Sequence, residues 1–176
     1  QALIYLGAIT LAEALTVLWD PRVGLPMHGA LLVILLTHAG LTWETPGHKL
    51  LAGIAFAPLI RMLSLSFPLA EVPLVYWYLI TSVPIFIACF STARIFGFSW
   101  PRAFLRLRLV PLDLVIGSTG LVLGYVEYLI LKPASLVGDF TWEQIWLPAL
   151  ILFVCTGLME EMVFRGVMQH SAVETL

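Results

Sequence analysis

In a chain of 176 residues, 60% are hydrophobic and only 11% are charged, against about 45–50% and about 25% in soluble domains. So few charges exclude a soluble fold of this size, because the surplus apolar surface needs an apolar solvent. A net charge of −2 without a basic or acidic tail leaves nucleic acid nothing to bind.

A helix needs about 20 mainly apolar residues to cross a bilayer, and the sequence offers about six such segments. They are roughly 2–19, 25–43, 49–67, 73–97, 111–131 and 144–168. The fold class expected is therefore all-α, a multi-pass transmembrane helix bundle whose partner is the lipid bilayer. Asp20-Pro21-Arg22, Glu44 to Gly47, Pro68 to Pro73 and Lys132-Pro133 separate the segments as ordinary loop signals. In the first segment Ala12-Glu13-Ala14 mimics a cleavage site. No basic stretch precedes it and apolar sequence continues to Trp19, so a spanning helix is expected rather than a signal peptide. The third segment carries Pro58 and Arg61 and is expected to kink or to insert only in part.

With a cytoplasmic N-terminus, Lys49, Arg94, Arg102, Arg106, Arg108 and Arg165 fall on or near the inner side and only Arg22 and Lys132 on the outer. This asymmetry obeys the positive-inside rule and makes Ser99 to Val110 a cytoplasmic connector. The six tryptophans, Trp19, Trp43, Trp77, Trp100, Trp142 and Trp146, fall mostly near span ends, as in an aromatic belt. Cys89 and Cys155 sit in apolar runs without CxxC spacing and read as small buried hydrophobes. His28, His38 and His48 come at ten-residue intervals, share no helical face, and are expected in loops or at the interface. In the fifth segment Gly117, Gly120 and Gly124 form a stripe suited to close helix packing. Glu127 lies about 20° from Gly120 around the helix, so this face is expected against a neighbouring helix.

The last segment ends in Leu158-Met159-Glu160-Glu161-Met162-Val163-Phe164-Arg165-Gly166. Ionisable groups within an apolar helix are costly, and they persist when paired or when they serve a site. Glu161 and Arg165, four apart with the acid first, are predicted to pair on one face. Glu160 points about 100° away and has no partner within the helix, which leaves one carboxylate free. The segment is expected to place these groups toward the cytoplasmic end of the span.

Glu160-Glu161-xxx-Arg165-Gly166 resembles the EExxxR signature of the CAAX-type intramembrane endopeptidases, the CPBP or Abi group that includes the Ras-converting CAAX protease. The specific likeness covers about ten residues; elsewhere it extends to apolar helices and a basic connector ahead of the motif. The resemblance implies that Glu160 is the base activating a water for attack on a peptide carbonyl, with Glu161 and Arg165 in support. It implies a peptide or protein substrate, no cofactor, and a bacterial plasma membrane rather than an organelle. The family's catalytic histidines, in an FxxxH and an HxxxN-like motif on later helices, have no counterpart in this sequence; Gly166 stands where a phenylalanine would precede His170. Residues 1–176 are thus expected to form one membrane domain, the N-terminal part of a longer CAAX-protease-like domain. The alternative is a non-catalytic subunit, a scaffold, immunity or assembly factor of a larger membrane complex that keeps the protease-like fold. No HExxH occurs, so a zinc-peptidase reading has no support and no metal site is implied.

Overall fold

A computed structural model describes residues 1–67, 72–98, 111–132 and 135–175, without the side chains of 112–114. Among the described residues the fold is all-α. Helix α1 spans Ala2–Leu18. Asp20 then caps α2, Pro21–Leu41: its carboxylate accepts the Arg22 N–H at 2.8 Å, and Pro21 supplies a preset first turn. The third segment is broken, as its sequence predicts, into α3, Gly47–Ile54, and α4, Phe56–Ser66, which meet at Ala55. The cause is Pro58, which has no N–H to give the carbonyl of Ile54 four residues back. Helix α5 covers Leu74–Ile95 and α6 covers Pro111–Leu131. A last long helix starts as α7, Trp142–Leu152, passes through π-helical turns over Phe153–Leu158 and Glu161–Gln169, and ends as α8, His170–Thr175.

The six predicted segments are all helical, and four helices are long and apolar enough to cross a membrane: Pro21–Leu41, Gly47–Ser66, Leu74–Ile95 and Trp142–Thr175. These make the chain a membrane protein. Ala2–Leu18 is apolar but shorter. Trp19, Trp43, Trp142 and Trp146, at or near helix ends, are exposed, in keeping with an aromatic belt. The connector 99–110 and its arginines lie outside the described residues.

Two apolar clusters hold the bundle. Leu35, Ala39, Leu51, Ile54 and Ala55 join α2 to α3, with Tyr5 and Ile9 of α1 packed on them. Phe56, Ile85 and Cys89 meet Met162, Val163 and Val167, joining α4 and α5 to the last helix. Both cysteines are buried and free, the role read from their apolar surroundings. Where α1 meets α2, a Cβ on Gly24 would overlap the Thr16 side chain, while one on Gly40 would touch nothing. Gly24→Ala should therefore push the helices apart and cost about 1–3 kcal/mol through overpacking. Gly40→Ala should leave the thermal midpoint in detergent unchanged or slightly raised; equal midpoints for the two variants would contradict this packing.

One expectation is corrected here. Among the described residues, the stripe of Gly117, Gly120 and Gly124 has nothing within 4 Å of a built Cβ, and Glu127 is exposed beside it. Spacing on a helix defines which residues share a face but not whether the rest of the chain supplies a neighbour for it.

Candidate functional site

The last helix divides by face. Met162, Val163, Gly166 and Val167 are buried, and Met162, Val163 and Val167 pack on α4 and α5. Glu160, Glu161, Phe164 and Arg165 turn outward. The backbone here is π-helical on both sides of Met159-Glu160, a widened geometry that occurs in short stretches and recurs at functional sites. The widened turn keeps the pair that the α-helical spacing predicts: Arg165 Nε donates toward Glu161 Oε2 at 3.2 Å. Among the described residues, no ion pair or side-chain hydrogen bond reaches Glu160. One carboxylate is thus neutralised by a guanidinium and its neighbour in sequence is free, on one outward face.

The last segment, read as ending near residue 168, continues as helix to Thr175. Polar contacts fix the far end of this helix against the α2–α3 turn. Lys49 Nζ bonds Glu174 Oε2 at 2.5 Å, His170 lies 3.2 Å from the same carboxylate, and Thr175 Oγ1 donates to Pro46 O at 3.0 Å. At Gly53, α3 lies against the last helix, where a Cβ would make ordinary van der Waals contact with Met168 Cα at 3.5 Å. A carboxylate in an apolar helix without a cation is costly, so the retention of Glu160 in the sequence asks for a role.

The histidines do not join this face. His38 Nδ1 lies 2.8 Å from the Tyr5 hydroxyl, and His48 Nδ1 lies 2.6 Å from Thr45 O. His170 meets Glu174 and stands edge-on to the Phe98 ring, centroids 4.4 Å apart. His28 is the second correction. It is not in a loop or at the interface but in α2, with 1% of its surface exposed.

His28 belongs to a cluster that the linear sequence conceals. Arg61 of α4 holds Glu13 of α1 through two contacts, Nε to Oε2 and Nη2 to Oε1, both 2.7 Å, and His28 Nε2 lies 3.5 Å from Glu13 Oε2. The signal that could have found the pair was present: one acid and one base, each alone in an apolar run, ask for each other inside a bilayer. No group of three or more His, Cys, Asp or Glu that could hold a metal occurs among the described residues.

The fold and the outward carboxylates define a helical membrane protein with a polar site on its last helix. Comparison with family models, curated proteins and solved structures finds no match.

Proposed function

We propose that this chain is an intramembrane endopeptidase of the CAAX-protease type, in which Glu160 activates a water. The observation that carries the proposal is the division of labour within the motif. Glu161 occupies Arg165, and Glu160 has its lone pairs available on the same outward face. Glu160 takes a proton from water as the oxygen attacks the peptide carbonyl, then returns it to the leaving amine as the C–N bond breaks. The reaction also needs donors aimed at the developing oxyanion, and the guanidinium of Arg165 is the cation that the motif supplies. A peptide or protein segment near the cytoplasmic membrane face is the substrate class, and a bacterial plasma membrane the setting.

A second reading has its own support. The charged face turns away from the helices that bury Met162 and Val163, as an assembly surface of a non-catalytic subunit in a larger membrane complex would. Cleavage in ¹⁸O-labelled water separates the two readings. The protein in lipid vesicles, given a library of membrane-inserting peptides, should yield fragments carrying one ¹⁸O at each new C-terminus. Absence of any fragment from the full-length protein, with intact helicity, would favour the subunit.

A further inference from the structure

The outward side of the last helix changes character at Glu160. Before it, Trp146, Leu150, Phe153 and Gly157 recur at three- and four-residue intervals, and all four are exposed. After it come Glu161, Phe164, Arg165 and Gln169, also exposed and mostly polar. The other side of the helix is taken up by α4 and α5, on which Met162, Val163 and Val167 pack. Gly157 is the break in the apolar stripe. A Cβ built there meets nothing within 4 Å among the described residues, so no packing contact among them asks for a glycine. A glycine inside a helix costs about 1 kcal/mol against alanine. Its effect here is a gap in the surface, one turn before Glu160 and one turn after Phe153. We propose, on the endopeptidase reading, that Gly157 is the seat for a bulky apolar side chain of the substrate. The substrate class is a membrane segment cut where its apolar run gives way to polar chain.

The match is chemical on both sides of the seat. An apolar run covers Trp146, Leu150 and Phe153, which lipid tails otherwise cover, and the polar flank of the same segment lies along Glu161 and Arg165. Two carboxylates and one guanidinium leave this flank with a net charge of −1. That charge complements a substrate flank carrying Lys or Arg, the usual composition on the cytoplasmic side of a membrane segment. Size is set at Gly157: a large side chain fills the gap between its neighbours, and a small one leaves it open. Seated there, the segment holds its backbone against the helix within one turn of Glu160, where the water attacks. Lipid alone covers the apolar half and leaves the free carboxylate without a partner, which is costly in an apolar helix.

Two synthetic peptides test the seat. Each carries a run of about 20 Leu and Ala residues followed by a Lys-containing flank, and they differ only in having Phe or Ala at the last apolar position. In lipid vesicles the full chain should prefer the Phe peptide by about tenfold or more in kcat/KM, because one methylene in an apolar pocket changes that ratio by about 10–200-fold. A Cβ has room at position 157, so Gly157→Leu should reach wild-type abundance while filling the gap. It should lower the Phe preference by about tenfold or more, with Gly157→Ala in between; should the leucine variant fail to fold, the alanine variant carries the test. Binding is read separately in the Glu160→Gln protein, by photo-crosslinking the same peptides from a benzophenone side chain introduced at Phe153. Equal handling of the two peptides by the wild-type chain, or a Phe preference that both Gly157 variants leave intact, would overturn the seat. Crosslinking that keeps the Phe preference while neither peptide is cleaved retains the seat as a docking site and counts against the endopeptidase reading. Failure of both cleavage and crosslinking overturns the seat.

Discussion

Glu160→Gln should keep the protein in the membrane at wild-type abundance and remove cleavage, while Glu161→Gln should do the reverse first. The two residues are neighbours, yet only Glu161 has a partner, Arg165 at 3.2 Å. An amide at position 160 is nearly the same shape and breaks no contact among the described residues. It cannot accept a proton from water at neutral pH, so turnover should fall by about 10²–10⁴-fold, the usual share of a general base. An amide at position 161 leaves the Arg165 cation uncompensated on the outward face of an apolar helix, so folding and accumulation should suffer before chemistry is tested. The measurement pairs membrane abundance with cleavage for both variants. Normal cleavage by Glu160→Gln would remove it from the mechanism. Full abundance of Glu161→Gln would show that water or lipid headgroups already screen Arg165.

The ease of reading that motif, compared with the Glu13 cluster, shows what sequence conveys about such a bundle. Helices are local, so apolar runs punctuated by Pro and Gly marked all six segments, and Pro58 marked the break at Ala55. Glu161–Arg165 was legible for the same reason: partners four apart are set by the helix itself. Glu13 and Arg61 are 48 positions apart, and no periodicity connects them. They meet because α2 packs on both α1 and α4, which is a property of the tertiary fold. His28 was misread on spacing alone; its burial depends on what α1 and α4 lay over it. The length of the last helix was underestimated because Gln169, His170 and Glu174 look like a polar exit. In the fold His170 and Glu174 are docking groups for the α2–α3 turn.

The interhelical pair offers the other large expected effect. Glu13→Gln and Arg61→Gln should each destabilise the bundle strongly, and Glu13→Leu/Arg61→Leu together should cost less than either single change. Removing one partner strands the other charge in the bundle, a loss of about 3–5 kcal/mol for a buried pair. The side chains of Glu13 and Arg61 are 42% and 32% exposed, which places the expected loss near the lower end, about 3 kcal/mol. Removing both charges eliminates the stranded ion, and apolar replacements of a buried pair are often neutral or stabilising. In this bundle the double change also leaves His28 without its facing carboxylate, so recovery should be large but incomplete. Reversible unfolding in mixed micelles, run as a double-mutant cycle, gives the coupling directly. A coupling near zero, with the two single losses simply adding, would mean that Glu13 and Arg61 are each stabilised by their surroundings and that α1 is held on the bundle by apolar contacts alone.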